Sequence, residues 1–312
     1  MKIALIGPGG VGGLLAGAML RRDAHAVSIV AREPRASHLR QHGLTLHSEL
    51  YGNFTVRPGC VTNDPSALSV QDAILICVKN DALPAVARQI EPIVGPNTLV
   101  MPVMNGVSAG DTLRGLLPRG HVLDCVIYTV SSSDESYAIT QKGPFTYLFA
   151  GAAPGDAKGA EGCQRLCDAL QALDVDCRYA QDVRAAIWGK YVLNCAYNVV
   201  TARWGVTIGE IKHSDKLRSE YRTLMEEAAQ VGRAMGVNIP GDLVDINMDK
   251  LMTCTDDSTS SLSRDFAEGQ VGEMTLFSHE VIKMAEQTGI DVPMTRDYAR
   301  GMEERAAAFT KS

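Results

Sequence analysis

The sequence predicts an α/β dinucleotide-binding domain of the Rossmann type followed by an all-α domain. Three observations carry that expectation. The chain opens on a short apolar run, a glycine-rich loop and an apolar helical stretch. Strand and helix patterns then alternate up to about residue 181. Beyond that point the strand signals stop and helical periodicities take over. At 312 residues the chain exceeds what one core usually fills, which fits two domains, 1–181 and 182–312.

In chain order, KIALI (2–6) reads as a buried strand and LLAGAMLRR (14–22) as a helix, with GPGGVGG between them. Strand, glycine loop and helix is the context in which G-x-G-x-x-G means a dinucleotide fingerprint. Gly7 makes the tight turn, Gly9 lets backbone approach a pyrophosphate, and Gly12 lets helix and strand pack closely. The helix N-terminus, with Gly10 and Val11, offers N–H groups to phosphate charge. A second strand, HAVSIVAR (25–32), ends in Arg32 where an NAD-binding chain usually carries Asp or Glu. An arginine there pairs with a 2′-phosphate, which favours NADP; Glu33, one residue on, is the competing NAD signal.

QDAILICVK (71–79), DALPAVARQIEPIV (81–94) and NTLVMPVMNG (97–106) read as strand, helix and strand. Such alternation implies a parallel sheet covered on both faces, with ligands beyond the carboxyl ends of the strands. Lys79 and Asn105 fall at those ends and are candidates for the cofactor or substrate site; solvation and an ordinary Asn-Gly turn are their bland readings. HVLDCVIYTVSSS (121–133) and FTYLFAG (145–151) read as strands, 152–162 as a surface loop, 160–173 as a helix and VDCRYA (175–180) as a last strand.

The helical half begins with 183–202. Within it, WGKYVLNCAYN (188–198) carries Lys190, Asn194 and Asn198 four residues apart on an otherwise apolar helix. That spacing makes one polar stripe. A helix apolar on its other faces is expected to be buried, and a buried stripe needs polar partners. A backbone carbonyl, a water or a small polar substrate would each serve. Ser214–Met235 follows as a helix capped by Ser214 and ended by Gly236, then helices over 241–253, about 270–287 and 296–309, the last capped by Thr295. TDDSTSSLSRDFAEG (255–269) reads as a serine-rich loop able to hold an anion.

Composition narrows the partners. A net charge of −6, no basic run and 5% aromatic residues argue against nucleic acid. The N-terminal apolar stretch is broken by Pro8 and glycines, unlike a secretory signal, and no stretch of about 18 apolar residues suggests a membrane span. The expected location is cytoplasmic, with the 8 cysteines as reduced thiols and no metal site. The apolar helical half has enough face for a homodimer or for its own core. A two-domain dinucleotide protein is expected to take a small substrate in the interdomain cleft, where Lys190 protonates a carbonyl oxygen as hydride reaches the carbon, and Asn194 and Asn198 orient the substrate.

Over essentially its whole length the sequence resembles the ketopantoate reductase (2-dehydropantoate 2-reductase) family. The residues that carry the resemblance are the glycine fingerprint, Arg32, Val78-Lys79, Met104-Asn105-Gly106, the helix pattern Trp188, Lys190, Asn194, Asn198, and the segment Ser260, Ser261, Asp265 and Glu273. The resemblance implies a helical domain like that of 6-phosphogluconate dehydrogenase, and NADPH-dependent reduction of 2-dehydropantoate to (R)-pantoate in pantothenate and coenzyme A synthesis. It implies Lys190 as general acid, Glu273 binding the substrate hydroxyl and holding the lysine's charge, Ser261 binding the carboxylate, and Asn105, Asn194 and Asn198 positioning the substrate. Met104, Val199 and Leu262 depart from the family pattern without removing a catalytic group. They leave open a reductase of another 2-oxo acid; an NADP-binding sensor and a purely structural stripe are the remaining alternatives.

Overall fold

The computed structural model describes residues 1–309 of the chain, which divides into two compact units, Met1–Val183 and Arg184–Ser312. The sequence-read helix over 296–309 lies within the described residues, where it runs from Pro293 to Ala306.

In the first unit β1 (Ile3–Ile6) leads through the glycine loop into α1 (Gly10–Arg22), then β2 (Ser28–Val30) and α2 (Arg35–His42). Next come β3 (Leu44–Ser48), β4 (Gly52–Val56), β5 (Val61–Thr62), β6 (Gln71–Ile76), α3 (Leu83–Ile90), β7 (Val94–Pro102) and α4 (Ala109–Leu116). The unit ends with β8 (His121–Ser133), β9 (Ile139–Ala152), α5 (Ala157–Ala172) and β10 (Cys177–Tyr179). The strands form one sheet in the order β4-β3-β9-β8-β7-β6-β1-β2-β5, with β10 against β9. β7, β6, β1, β2 and β5 are mutually parallel, as expected.

At its other end the sheet is mixed. β8 runs antiparallel to β9, and β3 antiparallel to β4. The cause is connection length: a turn at 134–138 is too short to return the chain in parallel, which needs a crossover. Both sheet faces are covered. Ile3 and Leu5 of β1 pack with Leu14, Leu15 and Leu166 of α1 and α5, while Ala4 and Ile6 pack with Leu83, Val86 and Leu113 of α3 and α4. The period of two in a fully buried strand thus serves two cores. Part of the 152–162 loop is helical, because Asp156 caps α5 by accepting from the Gly159 N–H at 2.8 Å.

The second unit is helical: α6 (Val183–Trp204, its first residue still in the first unit), α7 (Ile208–His213), α8 (Asp215–Ala234), α9 (Leu243–Thr253), α10 (Ser261–Ala267), α11 (Met274–Phe277), α12 (His279–Thr288) and α13 (Pro293–Ala306). Val192, Ala196, Val199, Val200 and Ala202 of α6 have no exposed surface. The Ser214 hydroxyl accepts from the Leu217 N–H, and Gly236 past the end of α8 adopts φ +77°, as the sequence suggests. The serine-rich segment is not wholly a loop, since α10 lies within it, capped by Ser260.

Thr295 is not the cap of α13. The helix starts two residues earlier at Pro293, and the buried Glu227 carboxylate of α8 accepts from the Met294 N–H (2.8 Å), the Thr295 N–H (2.8 Å) and the Thr295 hydroxyl (2.6 Å). A carboxylate at a helix N-terminus is favoured by the helix dipole and satisfies donors that the helix itself cannot. Glu227→Ala strands those buried donors and is expected to lower unfolding stability by about 2–4 kcal/mol, with Glu227→Gln costing less. Urea midpoints measure this; a Glu227→Ala midpoint equal to wild type would refute it.

Candidate active site

The glycine loop sits between β1 and α1, where the chain order of the sheet reverses: β2 lies on one side of β1 and β6 on the other. That reversal opens a crevice at the carboxyl ends of the strands. Gly7 takes φ +87°, and a Cβ there would meet the Cys77 carbonyl oxygen at 2.7 Å. A Cβ on Gly12 would lie 2.2 Å from the Gly7 carbonyl oxygen, so close helix–strand contact requires glycine. Gly9, by contrast, faces open space, with nothing within 4 Å of an added Cβ. Gly9 is also the N-cap of α1 and brings no side-chain cap, so the first-turn N–H groups of Gly10, Val11 and Gly12 have no partner within their own helix. A backbone cradle with an open side and helix-end donors suits a pyrophosphate.

Arg32 is exposed just beyond β2. Glu33 is committed elsewhere: its carboxylate accepts from the Ser37 N–H at 3.0 Å and from Arg40 Nη2 at 2.5 Å. A hydrogen bond from the Ser37 side chain first, then those from Arg40 and the Ser37 N–H, hold the Glu33 carboxyl below its ordinary pKa. Lys79 is exposed past the end of β6. Asn105 lies in the bend after β7, which stops at Pro102 and so ends earlier than its sequence suggests. The Asn80 side-chain amide donates to the Asn105 carbonyl at 3.0 Å, tying the loops after β6 and β7 together.

In the helical unit the stripe of α6 is less buried than its composition suggests. Lys190 and Asn194 are half-buried, and only Asn198, at 4% exposure, is inside. Asn198 Nδ2 donates to the Asn194 carbonyl at 3.2 Å, while its Oδ1 is buried with no hydrogen-bond partner. An acceptor left in that state needs a donor from a ligand or a water.

Long-range bonds fasten two further segments to α6. The Tyr191 hydroxyl donates to the Leu276 carbonyl at 2.7 Å, which anchors α11, and Glu273 is the N-cap of that helix. Thr201 Oγ1 and Ser260 Oγ lie 2.7 Å apart, and the Ser263 hydroxyl donates to the Thr201 carbonyl at 3.2 Å. Ser260 is buried and structural, whereas its neighbour Ser261 is exposed. The segment that carries Glu273 is thereby fastened to α6 at Tyr191, and the segment that carries Ser261 at Thr201. Of the departures from the family pattern, Val199 and Leu262 are buried at 0% and 1% exposure; Met104 is half-buried.

Sequence reasoning missed Arg35, Ser133 and Tyr137, which meet beside the glycine loop. Their separation along the chain gave no signal. Among the described residues no group of His, Cys, Asp and Glu is arranged to hold a metal, and no helix is long and apolar enough to cross a membrane.

Comparison with known proteins identifies the family. Residues 3–154 match the family model described as ketopantoate reductase PanE/ApbA, and residues 182–298 match that of its C-terminal part. The chain is 24% identical over 294 residues to an uncharacterized oxidoreductase of Bacillus subtilis, covering 94% of this chain and 95% of that one. It is 26% identical over 262 residues to a 2-dehydropantoate 2-reductase of Mesorhizobium japonicum, covering 77% and 78%. Among solved structures, a PanE/ApbA family ketopantoate reductase from Ralstonia eutropha superimposes with a TM-score of 0.87 at 27% identity, covering 99% of this chain and 100% of that one.

Proposed function

The chain belongs to the ketopantoate reductase family of oxidoreductases, which use a nicotinamide dinucleotide, and on that premise we propose that it reduces 2-dehydropantoate to (R)-pantoate with NADPH. The step serves pantothenate and coenzyme A synthesis, which fits a cytoplasmic enzyme. The observation that carries this reading is the polar stripe of α6, with the Glu273 and Ser261 segments fastened against the same helix.

When bound, NADPH supplies hydride to C2 of the oxo acid. Lys190 Nζ donates the proton to the oxygen on C2, so the ketone becomes a secondary alcohol and the lysine is left neutral until it is reprotonated from solvent. Glu273 holds the substrate hydroxyl and stabilises the lysine's charge. Ser261 binds the carboxylate. Asn105, Asn194 and Asn198 orient the substrate, the orphaned Asn198 Oδ1 taking a donor from it. Gly7, Gly9, Gly10, Val11 and Gly12 cradle the pyrophosphate, and Lys79 adds positive charge at the crevice. NADPH consumption with 2-dehydropantoate, followed by nicotinamide absorbance, tests the reading. Turnover is expected; NADPH binding without turnover of any 2-oxo acid would sink it and leave the sensor alternative.

The preference for NADPH is supported by the two charges at the end of β2. Arg32 is exposed, while Glu33 is engaged by Ser37 and Arg40 and so turned from a ribose hydroxyl. Arg32→Ala is expected to weaken NADPH binding roughly tenfold or more while leaving NADH unchanged, because a charge-assisted pair is worth about 1.5–3 kcal/mol. Fluorescence titration with both coenzymes checks this; equal losses for the two would remove Arg32 from the 2′-phosphate.

A further inference from the structure

Arg35, the first residue of α2, joins three parts of the first unit. One arm of its guanidinium donates to the Pro8 carbonyl in the glycine loop. The other, Nη2, donates to the Ser133 hydroxyl at the end of β8, at 3.1 Å. The guanidinium lies 4.7 Å from the ring centroid of Tyr137, in the turn between β8 and β9. That turn is itself fixed. Tyr137 adopts φ +64°, a left-handed conformation unusual for a residue with a side chain. It is held there by its N–H to the Asp134 carbonyl (3.1 Å) and by Asp134 Oδ1 accepting from the Ala138 N–H (3.0 Å). The His38 ring meets the Tyr137 ring edge-on, at 5.1 Å between centroids.

The consequence falls on one peptide plane. The polar groups of the Pro8–Gly9 peptide are the Pro8 carbonyl and the Gly9 N–H. Arg35 holds the carbonyl, and the Gly9 N–H donates to the Gly7 carbonyl at 2.9 Å. Both ends of the plane are pinned, and the open side of Gly9 and the N-terminus of α1 follow directly after it. Both arms of the guanidinium, Nη1 and Nη2, are thus engaged by protein acceptors.

We infer that Arg35 is a positioning residue that presets the phosphate cradle for either coenzyme, a role distinct from that of Arg32, which reads the 2′-phosphate. The inference rests on the reading of the first unit as the coenzyme domain. A loop that must be ordered on binding costs affinity, and pre-organisation removes that cost.

Coenzyme affinity by fluorescence titration, with steady-state kinetics beside it, tests this on wild type, Arg35→Ala, Arg35→Lys, Ser133→Ala and Arg32→Ala. Arg35→Ala is expected to raise Kd for NADPH and NADH by the same factor, about 10- to 100-fold, as loss of a charge-assisted hydrogen bond implies. The loss appears in KM for coenzyme rather than in kcat. Arg35→Lys, with the charge but not the fork, recovers part of it. Ser133→Ala removes one acceptor and gives a smaller, equal rise, which keeps the test open if Arg35→Ala does not fold. Unchanged affinities in a wild-type background that binds coenzyme would overturn the clamp alone. A loss confined to NADPH would overturn it too, and would move Arg35 to the 2′-phosphate. Failure of the wild-type chain to bind either coenzyme overturns the coenzyme-domain reading and the clamp with it.

Discussion

Lys190→Ala is expected to lower kcat by about 10²- to 10⁴-fold, the usual contribution of a general acid, equivalent to about 3–5 kcal/mol of barrier. The same variant keeps its fold and its coenzyme affinity. Lys190 is half-buried on α6, so truncating it opens no core cavity, and the coenzyme fingerprint lies in the other unit. Its thermal midpoint should stay close to wild type while turnover collapses. The opposite pattern, lost stability with retained turnover, would make the stripe a structural device. Arginine does not substitute, because its proton is not released near neutral pH, so Lys190→Arg should be nearly as slow as Lys190→Ala.

The second large effect separates two glycines of one motif. Gly12→Ala forces a Cβ to 2.2 Å from the Gly7 carbonyl oxygen and 2.9 Å from Cys77 Cβ. The backbone must shift, costing about 1–3 kcal/mol of stability together with coenzyme binding. Gly9→Ala meets nothing within 4 Å. The free protein should therefore stay within about 1 kcal/mol of wild type, the scale of an N-cap change. NADPH binding should still fall tenfold or more, because the new methyl occupies the side from which the pyrophosphate approaches. Chemical unfolding and coenzyme titration on both variants give the comparison. A Gly9→Ala protein that binds NADPH normally would show that the open side of the loop is not the phosphate side.

What could be read from the sequence was local. The strand–glycine–helix opening is legible because a tight turn and a close packing contact each require glycine at a fixed offset. The Lys190–Asn194–Asn198 stripe is legible because helical period is a local property. β8 showed as a long apolar run, but the first half of β9 is interrupted by Gln141-Lys142-Gly143-Pro144 and did not. β3 and β4 went unread although Leu44 and Leu46 alternate with Thr45 and His47, since the alternation is short and lies among polar residues.

The illegible parts depend on residues far apart in the chain. Glu227 reaches Thr295 across 68 residues, and Arg35 reaches Ser133 across 98. No periodicity records such contacts. Glu273 and Ser261 were candidates through family resemblance alone. The structure adds that both segments are fastened to one helix, by the tethers from Tyr191 to Leu276 and from Thr201 to Ser260. It also tempers the expectation of a buried stripe, because Lys190 and Asn194 retain access to solvent and only Asn198 is deeply placed.

The most direct test of the substrate reading compares kcat/KM for 2-dehydropantoate with that for the same branched 2-oxo acid lacking the hydroxyl, with NADPH saturating. A site built to bond a substrate hydroxyl rejects the analogue that lacks it, by as much as roughly 10⁴-fold, because its own polar groups are left unpaired. With Glu273 and the Asn198 acceptor in that role, 2-dehydropantoate should lead by at least about 10²-fold. Equal kcat/KM for the two acids would contradict the account: the chain would remain a reductase of its family, acting on an oxo acid selected by other groups, with the half-buried Met104 beside Asn105 the first to examine.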